Sequence, residues 1–229
     1  MTISNHLPAA VIFDMDGVLV NSNPFHIQKW ADFLGERGIR YDPEELPKQV
    51  LGLRNDHAFR HFFGPEMRKE EMARLSEEIE RRFRSAFRAH AKPLPGLESL
   101  IQQCHQAGVP MAVASSAMAK NVEFVVDALG FNAYFRHLVS GDEVQHPKPH
   151  PEIYLRTAEK LGLPPAACVA FEDSFVGIEA VKDAEMKCVA IASTFPGEEL
   201  RAHGRADLIV PGFQHLDLGA LRQLFAARP

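Results

Sequence analysis

The sequence predicts an α/β protein: a doubly wound parallel sheet with a helical insert after its first strand. Three observations carry this. Short β-type runs recur along the 229-residue chain, and most are continuously apolar rather than alternating, as in strands covered on both faces. Amphipathic helical patterns lie between them, and that alternation implies crossover connections. One long interval, about residues 23–92, holds only helix-like sequence.

The first strand is expected at Ala10–Phe13, ending in Asp14-Met15-Asp16-Gly17. In the insert, Met72, Leu75, Ile79, Phe83 and Phe87 recur at steps of three and four, the stripe of an amphipathic helix. Arg81, Arg82, Arg84 and Arg88 fall mostly off that stripe and read as a solvated face. "KPLPG", Lys92–Gly96, reads as the linker out of the insert. Strands follow at Val109–Ala114, His137–Ser140 (the run that is not continuously apolar), Cys168–Phe171, Cys188–Ala192 and Asp207–Val210. Helical patterns at Leu97–Ala107, Asn121–Leu129, Pro151–Leu161 and Gly177–Ala184 alternate with them. Residues 1–22 and 93–229 are thus expected to form the core, and residues 23–92 an inserted helical unit.

The bulk composition narrows the function. The chain is 46% hydrophobic and 24% charged, with a formal net charge of −5. That is ordinary for a globular protein, and it gives no global field for nucleic acid or an anionic membrane. No apolar run approaches the roughly 20 residues of a membrane helix. The opening "MTISNHLPAA" lacks a basic n-region and an apolar core, so no secretory leader is expected. Cys104, Cys168 and Cys188 form no C-x-x-C pair, and Cys168 and Cys188 sit in apolar runs. Such thiols suit a reducing compartment, so a cytoplasmic location is expected.

Four polar clusters fall at the C-terminal ends of four expected strands: Asp14 and Asp16; Ser115-Ser116 after "VPMAVA"; Lys148 in "HPKPHP"; and Glu172-Asp173-Ser174 after "CVAF". Ligands of open α/β sheets bind outside those strand ends. Each cluster alone has a structural reading: Asp16-Gly17 as a turn, Ser115-Ser116 and Glu172-Asp173-Ser174 as helix caps, Lys148 as a loop residue. A calcium loop is disfavoured, because Gly17 stands at the fourth position rather than the sixth and the preceding run is strand-like. Together the clusters point to one site. Asp14, Asp16, Glu172 and Asp173 would repel unless a cation joined them, and hard oxygen ligands describe Mg²⁺. Mg²⁺ in turn favours a phosphate oxygen. Lys148 and Ser115, with Ser116 beside it, would hold further phosphate oxygens. One carboxylate can then attack phosphorus, and a second can protonate the leaving alcohol and activate water.

"FDMDGVLV", "VASSA", "KPHPEIY" and "AFEDSFVGIEAV" resemble, in order and spacing, the four motifs of the haloacid dehalogenase superfamily. The resemblance covers nearly the whole chain and is nearest to β-phosphoglucomutase and the related sugar-phosphate phosphatases. It implies a Rossmann-like core, an α-helical cap, Mg²⁺ and a phospho-aspartate intermediate. By position, Asp14 resembles the nucleophile and Asp16 the acid/base. Ser115 and Lys148 resemble the phosphate-binding pair. Glu172 and Asp173 resemble the Mg²⁺-binding acids, acting with Asp14 and the backbone carbonyl of Asp16. His26 matches a position that orients the acid/base in mutases; from the residues alone it reads equally as a capping or packing histidine. An acid at Asp16 favours phosphoryl transfer from oxygen over dehalogenation.

The chain also departs from the mutase pattern. In "VLGLRNDH", Leu51 precedes Gly52 and Asn55 follows it by three, where that pattern has lysine and arginine; Arg54 is one residue out of register. Asn21 replaces an aspartate and Pro147 a glycine. The missing cations favour a phosphatase of small phosphorylated metabolites; a monomer is expected separately, with no residue pattern behind it. His26, Gly52, Arg54 and Asn55 are the candidate cap contacts. A β-phosphoglucomutase is the alternative. A phospho-accepting signalling domain is a remote one, since it would be shorter and lack the insert.

Overall fold

The computed structural model describes residues 7–226. Six parallel strands form one sheet: β1 (Ala10–Phe13), β2 (Met111–Ala114), β3 (Phe135–Val139), β4 (Cys168–Glu172), β5 (Lys187–Ile191) and β6 (Leu208–Val210). Their order is β3-β2-β1-β4-β5-β6. The chain builds outward from β1 to β3, then crosses back to lay β4 on the other side of β1. The reversal opens a crevice at the carboxyl ends of β1 and β4, where Phe13 pairs with Phe171.

The core strands read as apolar runs because both faces are covered. Val11 and Phe13 face one cluster with Leu97, Leu100 and Ile101 of α5 (Leu97–Gln106) and Val122, Val125 and Val126 of α6 (Ala119–Ala128). Ala10 and Ile12 face the other, with Ile153, Tyr154 and Ala158 of α7 (Glu152–Leu161) and Ile178, Ala180 and Val181 of α8 (Phe175–Asp183). Helices α9 (Gly197–His203) and α10 (Leu218–Phe225) complete the cover. Cys104, Cys168 and Cys188 are buried and free. Burial pushes the Cys104 thiol up to about 12 and Cys168 up to about 11, which suits inert packing groups. Among the described residues no helix is long and apolar enough to cross a membrane.

Between β1 and α5 the chain forms α1 (Asn23–Gly35), α2 (Leu46–Val50), α3 (Asn55–Phe63) and α4 (Lys69–Phe87). These helices share their own core, with Trp30, Phe33, Leu46, Phe59, Leu75 and Ile79 in it. The α4 stripe splits. Met72, Leu75 and Ile79 pack within the insert, whereas Phe83 and Phe87 reach the sheet core beside Leu19 and Val20. Arg81 is exposed, as expected of a solvated face, but Arg84 is half-buried and reaches the sheet domain. The insert's two ends meet: Val20 bridges Pro93, and Leu94 N donates to Leu19 O at 3.0 Å.

Candidate active site

All four polar clusters lie at the carboxyl edge of the sheet, around the β1/β4 crevice. Asp14 follows β1 directly, and its N–H continues the sheet by donating to Phe171 O at 3.0 Å. The chain then turns tightly, with Gly17 at φ +79°. That turn admits only glycine: a Cβ there would lie 1.9 Å from Asp173 Oδ2.

Lys148 is buried, and it is the centre of charge. Its ammonium donates to Asp14 Oδ1 (2.7 Å), Glu172 Oε1 (2.6 Å) and the Tyr154 hydroxyl (3.1 Å). Tyr154 donates in turn to Glu172 Oε1 at 2.6 Å. The other oxygen of Glu172 accepts from the N–H groups of Asp173 and Ser174 and from Ser174 Oγ. Ser174 also caps α8 through Gly177 N. Asp173 accepts from Asn23 Nδ2 at 3.1 Å and from the Thr194 hydroxyl.

These acids outnumber the cation among them. Burial first, then Glu172, Asp173 and Asp16, push Asp14 well above the carboxylate range, although Lys148 opposes this. Burial and the Glu172 charge push Asp173 up to about 8. Burial opposes ionisation of Glu172 too, but Lys148 and the hydrogen bonds to it hold it low. Asp14, Glu172 and Asp173 each offer an oxygen, all within 4.8 Å of one another. An excess of buried negative charge on oxygen ligands fits a hard divalent cation.

Asp16 sits in a different environment. Its Oδ1 accepts from Ser22 Oγ and lies 2.9 Å from His26 Nε2. Burial works against ionisation, but His26 and Ser22 outweigh it and hold Asp16 below its ordinary range. The His26 ring stacks on Phe83 at 4.2 Å, which fixes its plane.

A cavity of about 550 Å³ opens above these groups. Asp14, Asp16 and Ser115 line it from the sheet side; Lys29, Asn55, Glu80, Arg54, Arg60 and Lys69 line it from the insert. Glu80 is a buried hub: it takes Lys29 Nζ and Asn55 Nδ2 on one oxygen and Asn121 Nδ2 on the other. Asn121 belongs to α6 and accepts from Arg84 at 2.6 Å. The insert is therefore closed against the sheet domain by a buried polar joint.

A sequence profile described as haloacid dehalogenase-like hydrolase matches residues 11–191. The chain belongs to the haloacid dehalogenase-like hydrolases. It is 31% identical over 189 residues to the fructose-1-phosphate phosphatase of Escherichia coli, covering 80% of this chain and 96% of that one. It is 28% identical over 214 residues to a chloroplastic 5-amino-6-(5-phospho-D-ribitylamino)uracil phosphatase of Arabidopsis thaliana. That match covers 93% of this chain but only 57% of its relative. Among solved structures, β-phosphoglucomutase from Clostridium difficile superposes with a TM-score of 0.83 at 25% identity, over 94% of this chain and 96% of that one.

In this haloacid dehalogenase-like hydrolase the structure brings Asp14, Asp16, Ser115, Lys148, Glu172 and Asp173 together at one edge of the sheet. Lys148, Glu172 and Asp173 are not on the cavity wall; they back Asp14 from beneath. Ser115 Oγ accepts from Ala117 N at 3.1 Å, shaping its loop. Ser116 Oγ donates to Gly52 O at 3.1 Å, tying that loop to the insert. Gly52, at φ +71°, packs against Ser174, where a Cβ would sit 3.0 Å from Oγ. Arg54 donates to Gly141 O (3.4 Å) and Val144 O (3.2 Å) and pairs with Asp56.

Sequence reasoning missed Tyr154, Thr194, Asn23, Lys29, Glu80 and Asn121. Tyr154 ends the quoted "KPHPEIY", and Lys29 stands one helical turn after His26; both positions were readable. Thr194 and Asn121 carried no signal, because only the closed fold brings them to the acids.

Proposed function

We propose that this chain is a Mg²⁺-dependent phosphatase of small sugar phosphates or similar phosphometabolites, working through an aspartyl-phosphate. The observation that carries the reading is the asymmetric tethering of two carboxylates on one cavity wall. Lys148 holds Asp14 by Oδ1, while Ser22 and His26 hold Asp16 by Oδ1. Each keeps Oδ2 for chemistry. Asp14 attacks phosphorus, its new O–P bond replacing the bond to the ester oxygen. Asp16 gives a proton to the departing alkoxide, then takes one from the water that attacks the aspartyl-phosphate and frees Asp14 and phosphate. Because Asp16 rests as carboxylate, it must take up a proton before the leaving group departs, and His26 Nε2 at 2.9 Å holds that carboxyl in place.

Asp14, Asp173 and Glu172, with the Asp16 carbonyl, are the groups that would hold Mg²⁺; once bound, the ion neutralises phosphate oxygens and keeps Asp14 ionised. Ser115 would donate to the phosphate, and Lys148 would balance its charge from behind Asp14. Residues 23–92 act as the cap that closes over and selects the substrate, with His26, Gly52, Arg54 and Asn55 lining the cavity. A soluble, cytoplasmic monomer acting on a small phosphorylated metabolite fits this reading.

Arg54 supports the phosphatase over the mutase, because its guanidinium is spent on core carbonyls and Asp56. One observation favours the mutase: Arg60 and Lys69 line the insert side of the cavity, and neither has an ion-pair partner among the described residues. A second phosphate would find two cations there. The test is phosphate release from a panel of sugar mono- and bisphosphates with Mg²⁺, for wild type and Asp14→Asn. Mg²⁺-dependent turnover lost in Asp14→Asn supports the phosphatase, and no turnover on any member overturns it. Sustained glucose 6-phosphate formation from β-glucose 1-phosphate, primed by β-glucose 1,6-bisphosphate and without phosphate release, makes the chain a mutase.

A further inference from the structure

Outside the cleft stands a second cluster of ligating side chains: His146 and His150, both exposed, and the half-buried Glu152. Each offers one ligand atom, and these atoms lie within 4.8 Å of one another. The two imidazole rings are 4.5 Å apart and tilted by 32°. His146 Nδ1 lies 2.8 Å from Glu152 Oε2, within hydrogen-bond distance.

The cluster is held in place. It is carried by His146-Pro147-Lys148-Pro149-His150-Pro151, where three prolines alternate with the other residues and fix half of the backbone φ angles. Glu152 braces the loop by accepting from the N–H groups of Gln145 and His146, both at 2.9 Å. Those bonds hold the Glu152 carboxyl down to about 2, so it is an anion throughout the neutral range. Little backbone freedom remains to be lost on binding.

The donor set selects the ligand. Two imidazole nitrogens and one carboxylate oxygen are the donors that Zn²⁺, Ni²⁺ and Cu²⁺ prefer, whereas Mg²⁺ takes oxygen. In a tetrahedral zinc site, ligand atoms stand about 3.4 Å apart, so no pair needs to close by more than about 1.4 Å, within reach of two exposed rings. The cation would take the place of the hydrogen bond between His146 and Glu152. We propose that His146, His150 and Glu152 bind one borderline divalent cation of the Zn²⁺ class, at a site whose ligands are separate from the acids around Asp14. Such a cation ties together the residues two before and two after Lys148.

The test is Zn²⁺ bound per chain, measured by equilibrium dialysis and elemental analysis in excess Mg²⁺. The variants are His146→Ala/His150→Ala, His150→Gln and Asp173→Asn. Glu152 is retained because it braces the loop, and His150→Gln keeps an acceptor for the Glu152 N–H. The expected result is one Zn²⁺ per wild-type chain, held at least tenfold more weakly by both histidine variants and unchanged in Asp173→Asn. Co²⁺ should likewise give visible bands that vanish in the double variant. Undiminished Zn²⁺ binding by the histidine variants, or loss in Asp173→Asn instead, overturns the proposal whether or not the chain is a phosphatase.

Discussion

Glu80, on the helical insert, accepts a hydrogen bond at 2.6 Å from Asn121, on the sheet domain, and Arg84 one turn along fills the other end of the same amide. Both contacts cross the boundary that the cavity occupies. Replacing Asn121 by Ala leaves a buried carboxylate oxygen short of a donor. The expected cost is about 1–3 kcal/mol, seen as a lower melting temperature. KM should rise more than kcat falls, because closure weakens while the reacting groups stay. An unchanged KM would show that the joint plays no part in closing the site.

The excess of buried acid makes stability depend on pH and metal. Asp173 is raised to about 8 and Asp14 is raised as well. From the ordinary carboxylate range up to about pH 8, where Asp173 titrates, the folded chain binds more protons than the unfolded one, so stability falls as pH rises; the raised Asp14 acts in the same direction. Asp16, Glu80 and Glu172 are lowered instead. Their contribution is complete above about pH 5 and is lost only on further acidification. In EDTA the melting temperature should therefore drop from about pH 5 to pH 8. Added Mg²⁺ should raise it more at pH 8 than at pH 5. A flat or rising profile in EDTA would contradict the charge imbalance.

Asp14 and Asp16 should fail differently. Asp14→Asn removes the nucleophile and should cost about 10³-fold or more on every substrate. Asp16→Asn should cost about 10²–10⁴-fold on alkyl phosphates and much less on aryl phosphates, whose leaving group needs no proton. His26→Ala should follow the Asp16 pattern more weakly. Equal losses on both substrate types would remove Asp16 from the acid's role.

Gly177 lies inside α8, where alanine would ordinarily be preferred. A Cβ there would stand 2.0 Å from the Glu172 carboxylate, which Lys148, Tyr154 and Ser174 hold in place. Gly177→Ala should destabilise by about 1–3 kcal/mol and reduce activity as Lys148 loses its partner. Gly35, in α1 with nothing within 4 Å, is the control; Gly35→Ala should be neutral or mildly stabilising in urea unfolding.

The strands and the four motifs were legible because each is local: a buried parallel strand must be apolar, and its polar successor must face the crevice. The expected strand at Val109–Ala114 begins at Met111, because Pro110 gives no N–H to a ladder. The strand expected at His137–Ser140 runs instead from Phe135 to Val139, because the exposed Arg136 of this edge strand interrupts the apolar run. The insert's existence was legible from its missing strands, but not its closure. Glu80 sits beside an apolar stripe and reads as surface, yet it is buried by Lys29, Asn55 and Asn121, which arrive from 25 to 51 residues away. Arg84 was misread for the same reason.

The meeting of Val20 with Pro93 has a consequence for how such a chain can change over generations. The ends of the insert are fastened beside each other on the sheet domain, so the sheet registers only a closed loop. Loop-closure entropy grows by only about 0.6 kcal/mol for each doubling of length. Helices can therefore be lengthened, traded or lost inside that loop at little cost to the machinery beneath. Diversification is left to one interchangeable module, while the carboxylates of the sheet stay where they are.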